Sequence, residues 1–246
     1  MDKDSCKYNL ESALLGLENR GIYNLDYPDI LLDCTQIEQF ALYYRLLVEY
    51  NQKFNLTAIT EEKEVYSKHF YDSLLPLKDR KITGKVADIG SGAGFPGLPL
   101  KICNPDISLF IVDPLKKRME FLKVVVKELG LQDVHIYPER AEDFAWDHRE
   151  YFDFVAARAV AKFDILAELC LPLVKVGGEF IAYKGSDSEE ETNNSKKALS
   201  LLGGKAIEVT FHGYPGGTRT FIYTKKIRPT PKKFPRPYNQ IKKQPL

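Results

Sequence analysis

Val86-Ala87-Asp88-Ile89-Gly90-Ser91-Gly92-Ala93-Gly94-Phe95-Pro96-Gly97-Leu98-Pro99-Leu100 decides the fold. Its first four residues read as a buried strand closing on a glycine cluster, and a helix follows the cluster. Glycine has no Cβ, so the chain can turn sharply there and a ligand can approach its backbone. Alone, such a loop is either a ligand cradle or a tight structural turn. Its surroundings favour the cradle. Ser108–Val112 reads as the next strand, and Asp113 closes it nineteen residues after Gly94. A carboxylate at that position typically accepts the two hydroxyls of an adenosine ribose.

Downstream, Leu115, Met119, Leu122, Val126 and Leu129 mark a helix stopped by Gly130. Val134–Tyr137, Phe152–Ala157 and Glu179–Tyr183 read as further strands, with a helix around Asp164–Leu171. Ala206–Phe211 and Thr220–Thr224 flank Gly213-Tyr214-Pro215-Gly216-Gly217 as a hairpin. Residues 81–226 are therefore expected to form a doubly wound α/β sheet with an antiparallel edge strand. Residues 1–80 read as a helical cap. Ile37, Phe40, Tyr44, Leu47 and Val48 line one face of a helix capped by Thr35, a shorter helix covers Leu10–Leu17, and a third starts after Thr60. Lys63 stands where a capping box would need Glu or Gln, so the third lacks one.

The type of nucleotide follows from the loop. A dinucleotide fingerprint is Gly-x-Gly-x-x-Gly, with a pyrophosphate at the helix N-terminus. Here the pattern is Gly-x-Gly-x-Gly, with Phe95 in the sixth place. Asp88 lies two residues before Gly90, suited to orienting water or an ammonium group rather than a pyrophosphate. Adenosine plus an amino acid without phosphate is S-adenosylmethionine, which is favoured over NAD. An NAD-dependent oxidoreductase is the alternative. Ala141 and Glu142 follow the third strand, where their backbone can edge an adenine, although Glu142 reads equally as a solvated acid. Arg158, just past the fourth strand and flanked by small residues, reads as a site residue.

Composition narrows the class. The chain has 246 residues, 44% hydrophobic and 12% aromatic, which excludes a disordered, collagen-like or coiled-coil chain. No apolar run is long enough to span a membrane, and no secretory signal is expected from Met1-Asp2-Lys3-Asp4-Ser5. A cytoplasmic monomer is expected. Cys6, Cys34, Cys103 and Cys170 are widely spaced and read as reduced thiols. The net charge of +1 is segregated: residues 225–246 carry eight basic and no acidic residues, on a body that is therefore −7. Such a tail is either a polyanion contact or a solvated end. Pro229, Pro231, Pro235 and Pro237 are expected to keep it extended.

These residues resemble the bacterial 16S ribosomal RNA methyltransferase G family, also called glucose-inhibited division protein B. Asn55-Leu56-Thr57-Ala58-Ile59 and His69-Phe70-Tyr71-Asp72-Ser73-Leu74 look like its cap motifs, and Val86–Leu100 looks like its donor loop. Arg140-Ala141-Glu142, Ala157-Arg158-Ala159-Val160-Ala161 and Tyr183-Lys184-Gly185 are similar to its later motifs. The resemblance implies a class I S-adenosylmethionine-dependent methyltransferase, with a Rossmann-like sheet and an N-terminal helical cap, acting on N7 of guanine 527 in 16S rRNA. It implies a donor site of Gly90, Phe95, Asp113, Ala141, Glu142 and Arg158. Two positions depart from the family. Pro114 stands where Ser usually follows the ribose acid, suiting a first helical position. The tail (227–246) reads Arg236-Pro237-Tyr238-Asn239-Gln240-Ile241-Lys242-Lys243, without the family's Gly-Thr-Pro.

Guanine N7 is a neutral nucleophile, so no single general base is expected; His69 and Asp72 are the candidates should one exist. RNA contacts are expected from Lys184, Arg219, Lys232, Lys233 and Arg236, with Arg45 and Lys68 on the cap and 16S rRNA or the small ribosomal subunit as partner. The alternative reading of Lys184 is that it covers the sheet end. His135, His148 and His212 read as structural. No His, Cys or carboxylate group has metal-ligand spacing, and methyl transfer needs no metal. A non-catalytic RNA-binding module is the other alternative, disfavoured because it would not need the long α/β body.

Overall fold

Phe110–Val112, Val155–Ala157 and Phe180–Tyr183 are buried at successive residues, hence on both faces of their strands, so the sheet must be covered on both sides. The computed structural model describes residues 8–9, 30–158, 161–185, 191, 195–214 and 217–246. The expected helix at Leu10–Leu17, the acidic residues 187–190 and the hairpin tip at Pro215-Gly216 lie outside the described residues. The strands are β1 Tyr8–Asn9, β2 Leu31–Leu32, β3 Lys85–Ile89, β4 Ser108–Val112, β5 Val134–Tyr137, β6 Phe152–Arg158, β7 Val174–Lys184, β8 Gly204–Tyr214 and β9 Gly217–Lys226. β1 and β2 form a short antiparallel pair, and the others form one seven-stranded sheet in the order β5-β4-β3-β6-β7-β9-β8. The first five are parallel, whereas β9 runs antiparallel to both β7 and β8. The hairpin thus closes one side of the sheet, with β8 outermost.

Val86, Leu109, Ile111, Ile181, Tyr183, Phe221 and Tyr223 point into one core. Covering it are α1 (Cys34–Phe54), then α2 (Glu62–Val65) continuing through a π-helical segment (Tyr66–Tyr71) into α3 (Asp72–Leu74), and finally α4 (Gly97–Cys103) and α5 (Lys116–Glu128). Ala87, Phe110, Val112, Phe180 and Ile222 point into the other, beneath α6 (Ala141–Asp147), α7 (Phe163–Cys170), α8 (Lys196–Leu202) and α9 (Tyr238–Lys243). The described cap therefore shares its core with the sheet.

Several local expectations are corrected. α1 is capped by Asp33, not Thr35: Asp33 Oδ1 accepts from Gln36 N (2.8 Å) while Gln36 Oε1 accepts from Asp33 N (3.0 Å). α2 is capped by Glu61, whose carboxylate accepts from Glu64 N at 2.9 Å. Leu115 is the N-cap of α5, so Pro114 stands ahead of the helix. Cys34 is disulfide-bonded rather than reduced, because wide spacing along the chain does not fix spacing in space, while Cys103 and Cys170 are free.

The tail is also not extended. Phe234 and Ile241 are buried in the second core. Arg149 donates to the carbonyls of Thr230, Pro231 and Phe234 at 2.7, 2.9 and 2.6 Å. Apolar anchors and satisfied carbonyls fold the prolines against the body.

Candidate functional site

Parallel pairing puts the carboxyl ends of β3, β4, β5 and β6 on one edge, and the sheet order switches direction beside β3, which opens a crevice there. The glycine loop fills that position with Gly90, Gly92 and Gly94 at φ of 71, 60 and 100°. The last two serve different ends. A Cβ on Gly94 would lie 2.6 Å from Tyr43 Oη and 2.7 Å from Leu98 Cδ1, so this glycine admits helix packing. A Cβ on Gly92 would meet nothing within 4 Å, so this glycine faces open space.

Two carboxylates precede and follow the loop, and their bonding differs. Asp113 is almost fully buried. Its Oδ2 accepts from Gly92 N (3.1 Å) and Arg118 Nη1 (3.0 Å), and its Oδ1 accepts from Leu115 N (2.9 Å). Asp88 is fully buried with Oδ2 accepting from Gly97 N at 2.8 Å, while its Oδ1 and the nearby Ser91 Oγ have no partner. Burial pushes the Asp88 carboxyl up to about 7, against the opposing pull of the Gly97 amide and the Arg158 guanidinium. A buried acceptor left unpaired costs about 1–3 kcal/mol. Retained near the end of β3, which leads into the glycine loop, it fits a ligand that brings its own donors: a ribose diol for Asp113 and an ammonium group for Asp88.

Facing the loop is a network that joins cap to sheet. Asp72, fully buried on α3, accepts from Arg158 Nη1 at 2.8 Å and from Arg219 Nε at 2.5 Å. Arg158 also donates to Lys68 O (3.2 Å), and its guanidinium lies 5.1 Å from the Phe95 ring centroid. His69 stacks on Phe95 at 4.6 Å, with Nε2 2.9 Å from Thr57 Oγ1 and Nδ1 3.3 Å from Arg158 Nη2. Arginine only donates, so His69 Nδ1 is the acceptor and Nε2 carries the proton. Burial, reinforced by Arg158, lowers His69 to about 4, leaving it neutral at pH 7. The lone pair of His69 and both oxygens of Asp72 are thus occupied, and neither is poised as a base.

A family model described as rRNA small subunit methyltransferase G matches residues 36–221. Relatives named ribosomal RNA small subunit methyltransferase G are 50% identical in Geobacillus kaustophilus, covering 90% of this chain and 96% of that one, and 46% identical in Bacillus licheniformis, covering 97% and 99%. The chain belongs to the rRNA small subunit methyltransferase G family. It is accordingly a methyltransferase. Solved structures share its fold at low identity. A 16S rRNA (adenine(1408)-N(1))-methyltransferase from Catenulisporales acidiphilia superposes with a TM-score of 0.52 at 14% identity, over 59% of this chain and 86% of that one. M. jannaschii TYW2 in complex with AdoMet gives 0.51 at 16%, over 63% and 77%.

In this family member, Gly90, Phe95, Asp113, Ala141, Glu142 and Arg158 all lie along the carboxyl edge, with half-buried Ala141 and Glu142 in the first turn of α6. The residues expected at RNA divide. Lys232 and Lys233 are exposed. Lys184 instead binds Ala161 O (3.1 Å) and Glu191 (2.6 Å), Arg219 binds Asp72, and Arg236 grips fully buried Glu168 through Nε and Nη2 at 2.8 and 2.6 Å. In this structure the charges of these three are paired with carboxylates. His135, His148 and His212 bond Asp133, the Phe144 carbonyl and Asp79. Tyr43 was not singled out by sequence. It is buried, donates to Ala93 O at 2.5 Å and stacks on Phe95 at 5.5 Å. Arg118 was also missed, although its position one turn beyond Asp113 was a signal.

Proposed function

We propose that this methyltransferase transfers the methyl group of S-adenosylmethionine to N7 of guanine 527 in 16S rRNA of the small ribosomal subunit. In this reading residues 1–80 cap the site, 81–226 hold the donor and 227–246 supply exposed charge to RNA. The observation that carries it is the open face of Gly92, whose amide donates to the Asp113 carboxylate, in the loop that follows Asp88 and its unpartnered Oδ1. The relatives' shared name, ribosomal RNA small subunit methyltransferase G, supports an rRNA substrate. Phe95, stacked on His69 and Tyr43 where a dinucleotide loop has its third glycine, speaks against NAD.

The donor supplies an electrophilic methyl on a sulfonium centre. Guanine N7 attacks with a free lone pair and needs no prior deprotonation, which agrees with the occupied His69 and Asp72. The protein's work is then alignment of nucleophile, methyl carbon and sulfur, an effect that can reach roughly 7–11 kcal/mol. Mass mapping of nucleotide 527 in rRNA from cells with and without the protein tests the assignment. Loss of the methyl group only in its absence is the expected result, and an unchanged nucleotide 527 refutes it.

Because Asp88 titrates near 7, its charge toward a donor ammonium develops across neutrality. S-adenosylhomocysteine affinity should rise with pH between 6 and 8, approaching about tenfold per unit below 7, and Asp88→Asn should flatten the profile. The stability sign is opposite. The folded value lies above the ordinary 3.8, so this group's contribution is full below about 4 and is lost as pH rises through 7. Calorimetric titrations at each pH read the first effect, and a pH-independent affinity in the unmodified protein would remove Asp88 from the ammonium site. For the tail, Lys232→Ala with Lys233→Ala should weaken RNA binding and lower the log Kd–log salt slope by roughly 1.4–1.8. An unchanged slope excludes both lysines from phosphate contact.

A further inference from the structure

We propose that Arg118 is a latch on the donor site, opened by the donor ribose, and that its release contributes an RNA-phosphate contact. The inference rests on the S-adenosylmethionine reading above. An ionised carboxylate offers about four acceptor positions. At Asp113 three are taken, by Gly92 N, Leu115 N and Arg118 Nη1. A ribose diol binding through both hydroxyls needs two, so one existing bond must yield. The Gly92 amide is fixed in the glycine loop and the Leu115 amide in the turn that begins α5. Arg118, its side chain 34% exposed, is the partner that can leave without rearranging the backbone.

The surroundings show where the freed guanidinium goes. Lys116 and Lys117 are exposed beside Arg118, and the first turn of α5 holds these three cations with no acidic residue and no side-chain cap. Cations there oppose the helix dipole, so they do not serve the stability of the helix. Arg140, exposed at the start of α6, extends the positive surface along the same carboxyl edge. Without donor, Asp113 holds one charge of this surface back. With donor, Arg118 joins Lys116 and Lys117 facing a sugar-phosphate backbone at the rim of the site, which makes donor and RNA binding mutually favourable.

Calorimetry with S-adenosylhomocysteine and a 16S rRNA fragment containing nucleotide 527 tests this on the full chain. In the unmodified protein, S-adenosylhomocysteine should tighten RNA binding about three- to fivefold, the scale of one partly exposed ion pair, and RNA should tighten S-adenosylhomocysteine by the same factor. Arg118→Ala should bind S-adenosylhomocysteine about three- to fivefold more tightly, and its RNA affinity should not respond to it. Alanine favours the helix at this position, and Arg118→Gln should shift both quantities in the same directions. Weaker S-adenosylhomocysteine binding by both variants, or coupling that survives the substitution, overturns the latch. If the unmodified protein does not bind S-adenosylhomocysteine at all, the donor reading falls and the latch with it.

Discussion

Asp72→Ala should lower unfolding stability by about 3–5 kcal/mol, the cost of removing one partner from a buried ion network. Asp72 is fully buried, and the two guanidiniums it accepts from are only 10% and 22% exposed. Its loss leaves two positive charges facing each other in a low-dielectric seam without a counter-ion. The same residue ties α3 to β6 and β9, so the cap helices should loosen from the sheet with it. Asp72→Asn keeps the shape and part of the hydrogen bonding but loses the charge, so its cost should be intermediate. A contrasting control is Glu64, which pairs with Lys68 at i,i+4 on the half-exposed face of the cap. Glu64→Ala should change stability by no more than about 1 kcal/mol. Urea unfolding at pH 7 reads all three. The mechanism is tested in the same samples: methyl transfer per folded Asp72→Asn molecule should not be rescued by raising the pH. A loss below 1 kcal/mol, or a pH-rescued activity, would return Asp72 to consideration as a base.

That network shows where sequence reading stops. The glycine loop, the acid at the end of β4 and the short apolar strands were legible because each is written in residues close along the chain. The β4 and β5 boundaries agree with expectation to the residue, and the α1 face was recognised from its spacing. Asp72, Arg158 and Arg219 come from three elements far apart in sequence, so nothing local marks two arginines as partners of one carboxylate. Arg236 and Glu168 repeat the lesson at the tail. Eight basic residues count the same in a composition whether exposed, like Lys232, or buried, like Lys226, whose Nζ donates to the carbonyls of Leu171 and Val174. Tyr43 rather than its neighbour Tyr44 is buried because the helix rotation is set by docking against the loop, which a hydrophobic stripe specifies only to within a residue. Misplaced N-caps have a similar origin: Asp33 and Thr35 both qualify by type, and the reciprocal bond to Gln36 decides.

Asp113→Ala should raise the S-adenosylhomocysteine Kd by at least about a hundredfold, since two hydrogen bonds to a charged acceptor are each worth roughly 1.5–3 kcal/mol. The effect exceeds that of any exposed site residue because Asp113 is buried and would carry both ribose hydroxyls, leaving them unpaired in the crevice when it is removed. The substitution also frees Gly92 N, Leu115 N and Arg118. The first two loosen the loop and lower donor affinity further. The third acts oppositely on RNA: with no carboxylate to hold Arg118, the donor-free variant should bind the rRNA fragment about three- to fivefold more tightly than the donor-free unmodified protein. One substitution should therefore move the two affinities in opposite directions, which general destabilisation cannot do, since unfolding weakens both. Calorimetry measures the donor, and filter binding at fixed salt measures the RNA. An S-adenosylhomocysteine Kd within tenfold of the unmodified value would mean that another group holds the ribose, and the two carboxylates of the crevice would then need new roles.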